Sequence, residues 1–286
     1  MERRRLRIAI PVSVVSDTPH LREKTSKIGL IGRAAAIFRV DEIMIYSDSR
    51  YGDQKSEMDL VSLLLAYIET PQYLRKRLFK LEPNLQYAGI LPPLRTPHHP
   101  LNRKLSSLKV GDYREGAVLS RGNNRFLVDI GVERPVVTRG ISATSCPRVT
   151  VRIIKAGKHA EAELVDRDEI PLYWGYSVSV ENRLLGSILK ERGFGLVIAT
   201  SRYGSSLAEL AEQLADKWKR TEAVLVAFGA PSQGLAEIIG HEGLSLNEVT
   251  DFVVNTIPRQ GTETVRTEEA ILASLAAINC ALEMSG

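Results

Sequence analysis

Strand and helix signals alternate from the N-terminus to about residue 91, disappear, and return after residue 168. "RIAIPVSVV" (7–15) is a β-branched run suited to a buried strand, and "EIMIYSD" is a second. The stretch after His20 is expected to become helical near Ile28. "SEMDLVSLLLAYIET" follows with Met58, Leu60, Val61, Leu64, Leu65 and Ile68 at helical spacing. "PQYLRKRLF" starts a further helix on a proline, where a missing N–H does no harm. Beyond residue 169 the rhythm resumes with the helix "LGSILKERG", the strand "FGLVIATS" and a helix with Leu207, Leu210, Leu214 and Trp218 on one face. Strands separated by helices imply a parallel sheet, because parallel neighbours need a long crossover. One such sheet, interrupted and then completed, must carry the intervening segment as an insertion.

That segment reads differently. "AGILPPLRTPHHPLNR" is rich in proline, lacks periodicity and reads as a linker, with His98 and His99 expected in solvent. After it come "REGAVLSR", the turn "GNN", "RFLVDIG", "VERPVVT" and "RVTVRIIKAGKHAEAELVD". Phe126, Val128 and Ile130 alternate along the chain, as do Val149, Val151 and Ile153, which is the period of a half-buried strand. A small antiparallel barrel of the oligonucleotide-binding type fits this succession. The expected organisation is an α/β domain in two parts, 1–91 and 169–286, with an inserted β-barrel over 92–168. Charge follows the same division. Residues 1–91 hold 15 Lys+Arg against 11 Asp+Glu, residues 92–160 hold 13 against 4, and residues 161–286 hold 10 against 19. Cationic charge gathered in the inserted segment is the electrostatic footprint of nucleic-acid binding.

Several classes of chemistry find no support. No G-x-G-x-x-G follows the first strand, and neither a P-loop nor a G-x-S-x-G elbow occurs. His20, His98, His99, His159 and His241 share no metal spacing, and Cys146 and Cys280 stand alone, so no metal site is expected. The basic N-terminus leads into a strand-like run without a cleavage site, and no apolar stretch is long enough to span a bilayer; a cytoplasmic protein without a membrane association is expected. What remains are two loops at strand C-termini, "AFGAPSQGL" (227–235) and "NTIPRQGTETVRT" (255–267). Ligands of open α/β sheets collect at such ends. Gly229, Gly234 and Gly261 permit close backbone approach, Pro258 stiffens the second loop, and Ser232 and Thr267 are placed to cap the helices that follow. Glu268 and Glu269 suit the dipole of the last helix, which carries Ile271, Leu275, Ile278 and Leu282 on one face. Residue types and spacing lead as far as a small ligand held by backbone-rich loops.

At "GLIGRAAAIFRVDEIMIY" (29–46), "VAFGAPSQGL" (226–235) and "NTIPRQGTETVRTEEA" (255–270) the chain resembles the SPOUT class of methyltransferases. More narrowly, it is similar to the archaeal and eukaryotic family with an inserted oligonucleotide-binding-type barrel, which includes enzymes of ribosomal RNA uridine N3. The resemblance spans nearly the whole chain. It implies an α/β trefoil-knot domain working as a homodimer, with S-adenosylmethionine held by the knotted loops. The cofactor residues it implies are Thr200 and Ser201 at a neighbouring strand end, Ala227, Phe228, Gly229, Ala230 and Gly234 in the first loop, and Asn255, Thr256, Ile257, Pro258, Gln260, Gly261, Thr262, Thr264, Val265, Arg266 and Thr267 in the second. Arg202 and Arg33 are the candidates for stabilising an anionic base during transfer. Arg114, Arg121, Arg125, Arg139, Arg148 and Arg152 would face RNA, which the resemblance implies is ribosomal. Tyr113 and Phe126 offer rings for stacking, Phe126 being better placed for the core. A second reading is an RNA-binding or ribosome-assembly protein that keeps the fold without catalysis.

Overall fold

The structure is a computed structural model that describes residues 4–49, 53–122, 125–139, 147–191 and 193–284. Cys146 and the tip of the expected "GNN" turn fall outside these residues. In chain order the main elements are β1 (Arg5–Pro11), α1 (Leu21–Ile37), β2 (Glu42–Ser47), α2 (Lys55–Glu69), α3 (Gln72–Leu78), β3 (Tyr113–Gly122), β4 (Arg125–Asp129), β5 (Val136–Arg139), β6 (Arg148–Lys155) and β7 (Glu161–Leu164). There follow β8 (Ser177–Leu184), α4 (Leu185–Glu191), β9 (Leu196–Ser206), α5 (Leu207–Lys219), β10 (Ala223–Ala227), α6 (Leu235–Gly240), α7 (Leu246–Val249), β11 (Phe252–Asn255) and α8 (Thr267–Met284). The chain divides into two compact units: Met1–Ala66 with Asn84–Pro92 and Tyr176–Gly286, and Tyr67–Pro83 with Pro93–Gly175. The second unit therefore takes in α3, which precedes the segment 92–168, and reaches seven residues past its end.

In the first unit a six-stranded sheet runs in the order β11-β9-β10-β1-β2-β8, every neighbouring pair parallel. Its strands are apolar on both sides, as a doubly covered parallel sheet requires. Ala9, Met44, Leu225 and Ala227 bury one face against Leu185, Ile188, Leu235 and Ile238 of α4 and α6. Ile8, Ile10, Val224 and Val226, which alternate with them, are completely buried on the opposite face. Residues of α8 supply part of that second layer: Ile271, Leu275 and Ile278 are buried at helical spacing. The first helix begins at Leu21, seven residues before Ile28. Its opening turn contains Arg22, Glu23 and Lys24, so the helix is set there by backbone hydrogen bonds and not by an apolar stripe.

The second unit holds a closed barrel, β3-β4-β5-β7-β6, antiparallel except between β5 and β7. This connectivity is consistent with the oligonucleotide-binding type. Phe126, Val128, Ile130, Val151 and Ile153 fill its interior, the residues whose alternation marks the strands. The proline-rich stretch is not a solvated linker. Leu94, Thr96 and His98 are buried, and the His98 ring lies against Gly175 and Glu69. His99 is tied to the same place, its Nε2 standing 2.7 Å from the Glu69 carbonyl oxygen.

Candidate functional site

Because all six strands are parallel, their C-terminal ends share one edge, and the loops after β9, β10 and β11 are brought together there. The β9–β11 ladder makes this edge unusual. Ala199 pairs with Val253, but the next partner of β11, Val254, pairs with Ser205. Residues 200–204 therefore leave the ladder as a wide bulge. The bulge packs tightly on its neighbour: a Cβ on Gly204 would stand 2.5 Å from the Val253 carbonyl oxygen. Side chains then tie the loops to one another. Thr200 Oγ1 donates to the Ala227 carbonyl at 2.9 Å, Asn255 Nδ2 to the Arg202 carbonyl at 2.9 Å, and the Arg202 guanidinium to the Glu263 carbonyl at 2.7 Å. Thr267 does not cap α8 as its position suggests; its hydroxyl donates to the Gly229 carbonyl at 3.2 Å. The α6 N-cap is Gly234 and not Ser232.

These ties show which expected cofactor residues retain free chemistry. Phe228 has little: its ring is buried, its N–H donates to Ala9, and its carbonyl accepts the Tyr46 hydroxyl at 2.7 Å. Phe228 is thus a floor, with Ala227 buried beside it. Ala230 N–H donates to the Gln233 carbonyl, closing a tight turn in which a Cβ on Gly229 would meet that same oxygen at 3.0 Å. Ile257 N–H is taken by Asn255 Oδ1, Gln260 Nε2 donates to the Thr262 carbonyl, and the Arg266 N–H donates to Glu269. Thr256 and Ser274 share a hydrogen bond at 2.6 Å, fixing the loop against α8. Ser201 Oγ accepts the Tyr203 N–H. By contrast, Pro258, Gly261, Thr262 and Thr264 are exposed, Val265 is half-buried, and a Cβ on Gly234 or Gly261 would meet nothing within 4 Å. The loop is tied at Asn255, Ile257, Gln260, Glu263 and Arg266, and is exposed around Gly261.

Residues that the sequence patterns did not single out complete this edge. Tyr46 at the end of β2 holds the Phe228 carbonyl, and its burial, with Asp48 close by, pushes its hydroxyl pKa well above the ordinary value. Lys27 of α1 is buried between Asp17, 2.6 Å away, and Glu268, 3.2 Å away. Burial opposes ionisation of Asp17, but the hydrogen bonds from Lys27 and Thr18 outweigh it and its pKa is lowered. Glu268 is consequently an ion-pair partner that joins α8 to α1, beyond any dipole effect at the helix start. Arg33 is half-buried on α1, the helix packed against α8. A Tyr at a strand end was visible as a residue, but its partner lies 182 positions away.

In the second unit the arginines expected on an RNA surface separate into two groups. Arg148 is half-buried and engaged by acidic partners: its guanidinium donates to Glu69 at 2.6 Å and to Glu115, and it sits near Trp174 through their shared carboxylate. Arg114 is buried and donates to the Asn102 carbonyl. Both are corrections to the expected surface, made by acidic and carbonyl partners outside their own strands. Arg121 and Arg125 are exposed at the β3–β4 hairpin. Arg139 pairs with Glu161 at 2.7 Å and Arg152 with Glu163, both arginines about half exposed. Arg125 and Arg139 also line a concavity of about 440 Å³ with Arg134, Lys158 and His159 over Val136. Phe126 is in the barrel core, and Tyr113 packs edge-on toward Trp174 at 6.0 Å. Among the described residues no His, Cys, Asp and Glu group is arranged to hold a metal, and no helix is long and apolar enough to cross a membrane.

The first unit is a parallel α/β sheet with loops gathered at its strand ends, and the second a closed barrel with a concavity lined by Arg125, Arg134, Arg139 and Lys158. Comparison with known proteins makes this specific. Residues 5–278 match a family model described as "Putative RNA methyltransferase". The chain is 33% identical to the human 28S rRNA (uridine-N(3))-methyltransferase, over 98% of this chain and 79% of that protein. It is 30% identical to the Drosophila melanogaster 28S rRNA (uridine-N(3))-methyltransferase, over 96% of this chain and 61% of that protein. An uncharacterized protein of Halobacterium salinarum is 36% identical over 95% of this chain and 97% of its own length. The chain belongs to this family of RNA methyltransferases.

Proposed function

We propose that this chain transfers a methyl group from S-adenosylmethionine to N3 of a uridine in ribosomal RNA, using a SPOUT trefoil-knot domain as a cytoplasmic homodimer. The observation that carries the reading is the cluster of loops 200–204, 227–235 and 255–267, tied to one another and exposed around Gly261. The identity with the human and fly enzymes supports the base and the atom.

S-adenosylmethionine supplies an electrophilic methyl on a sulfonium, and the protein's task is largely positioning. The adenosine and its chain would be met by backbone of residues 256–265, with Phe228 and Tyr46 forming a rigid floor. Methylation at N3 would require its proton to pass first to water, so negative charge would develop on the base, and the donor would leave as S-adenosylhomocysteine. Arg202 is exposed, with one guanidinium nitrogen fixed on the Glu263 carbonyl, and its positive charge would favour the anionic base electrostatically. Leu30 and Ile37 on α1 and Leu272 on α8 are about half exposed, and these packed helices would offer apolar side chains to a second copy. Arg121, Arg125 and the concavity lined by Arg139 and Lys158 would hold RNA phosphates. The test is to incubate unmethylated ribosomal RNA transcripts with the protein and S-adenosylmethionine, then digest and analyse nucleosides by mass spectrometry. The reading expects 3-methyluridine that depends on both protein and cofactor; a different methylated nucleoside would refute the assignment of base and atom.

A further inference from the structure

We infer that Tyr203 is a stacking platform for the target base, a conclusion that rests on the function proposed above. Tyr203 is 82% exposed although it is large and apolar in its ring. It stands on the bulge 200–204, ejected from the ladder between β9 and β11 beside the open loop. A ring on a floppy tip would carry little meaning, but this tip is pinned on every side. Thr200 is held by Ala227, the Arg202 carbonyl by Asn255, the Arg202 guanidinium by Glu263, and the Tyr203 N–H by Ser201. Gly204 is fitted against the Val253 backbone so closely that no side chain is admitted.

The Arg202 guanidinium carbon lies 4.7 Å from the Tyr203 ring centroid, covering one face of the ring. The other face is left to solvent, so the arrangement is a guanidinium and an aromatic stacked and ready for a third flat group. A nucleobase is the flat group that a nucleic-acid enzyme encounters, and stacking on aromatic rings is how unpaired bases are held. Stacking does not distinguish bases, and it requires one that is unstacked from its neighbours. Tyr203 would accordingly favour an unpaired or flipped-out nucleotide, with the choice of uracil left to hydrogen bonds.

The experiment compares the full chain with Tyr203→Ala, Tyr203→Phe and Tyr203→Trp. Tritium transfer from S-adenosylmethionine to ribosomal RNA transcripts gives kcat/KM for RNA, calorimetry gives the cofactor affinity, and light scattering gives the mass. The inference expects kcat/KM to fall by about 5- to 150-fold in Tyr203→Ala, the loss of one base–aromatic stack. Phe and Trp should retain most of the activity, with cofactor affinity and mass unchanged in all variants. Three results would overturn it: full activity in Tyr203→Ala, a Phe variant as poor as Ala, or a change of mass that places the ring against a second copy. A wild-type protein that does not bind S-adenosylmethionine would instead overturn the functional reading beneath it.

Discussion

Glu69 keeps a negative charge where burial alone would push its pKa up; the Arg148 guanidinium and His98 more than offset this and hold it at about 2. Removing one partner from a buried pair leaves the other uncompensated, so Glu69→Gln should cost about 3–5 kcal/mol in urea unfolding. The pH dependence follows with a definite sign. His99 is lowered to about 4, mainly by burial and then by His98. Between pH 6.5 and about 4 the unfolded chain takes up a proton there that the folded chain refuses, and stability falls as pH falls. Glu69 adds a further loss between its ordinary 4.5 and about 2, where protonation destroys its ion pair. Glu69→Gln should therefore remove the carboxylate's share of the loss below pH 4.5 while the His99 share remains; an unchanged slope below 4.5 would contradict the pairing. None of this was legible from composition. His98 and Arg148 sit among prolines and β-branched residues, and their partner is 29 and 79 positions away.

Elements were readable in proportion to how locally they are determined. The alternation of Phe126, Val128 and Ile130 marked a barrel strand correctly, and Leu207 and Leu214 marked α5, because side-chain period follows from backbone geometry. The bulge in β9 was not readable, since "ATSRYGSS" continues like a strand and only the neighbour β11 reveals the skipped residues. Gly204 supplies the test at this scale. Both the added Cβ and the atom it would strike are fixed to backbone, so Gly204→Ala should lower Tm by several degrees and weaken cofactor binding together. Unchanged melting would mean that the β9 bulge does not pack on β11 as described. The loops 227–235 and 255–267 stand out by their glycines and threonines, yet these do not cap as expected: Thr267 binds Gly229, and Gly234 caps α6 without a side chain.

For the whole molecule, the interrupted α/β rhythm sufficed to expect a sheet carrying an insertion, because strands on both sides had to find one another. Which residues travel with the barrel was beyond its reach, as α3 and residues 169–175 contain no barrel strand. The excess of Lys and Arg between 92 and 160 makes a prediction about salt. Reversing Arg121 and Arg125 to Glu should weaken RNA binding and reduce the slope of log K against log salt by about 0.7 for each phosphate no longer neutralised. An unaltered slope would take that hairpin out of the interface. Light scattering should give twice the chain mass of 31.7 kDa, and Ile37→Glu with Leu272→Glu should restore the single mass. A monomeric wild type would contradict the dimer.

The most direct measurement is a calorimetric titration of the wild-type protein and Gly261→Val with S-adenosylmethionine, with Tm recorded for both. A Cβ at Gly261 meets no protein atom within 4 Å, so the substitution probes the space beside the loop and not the packing of the fold. Binding by the wild type, lost in Gly261→Val at unchanged Tm, is the predicted result. Equal binding by both proteins, or none by the wild type, would contradict the assignment of this loop as the seat of the methyl donor.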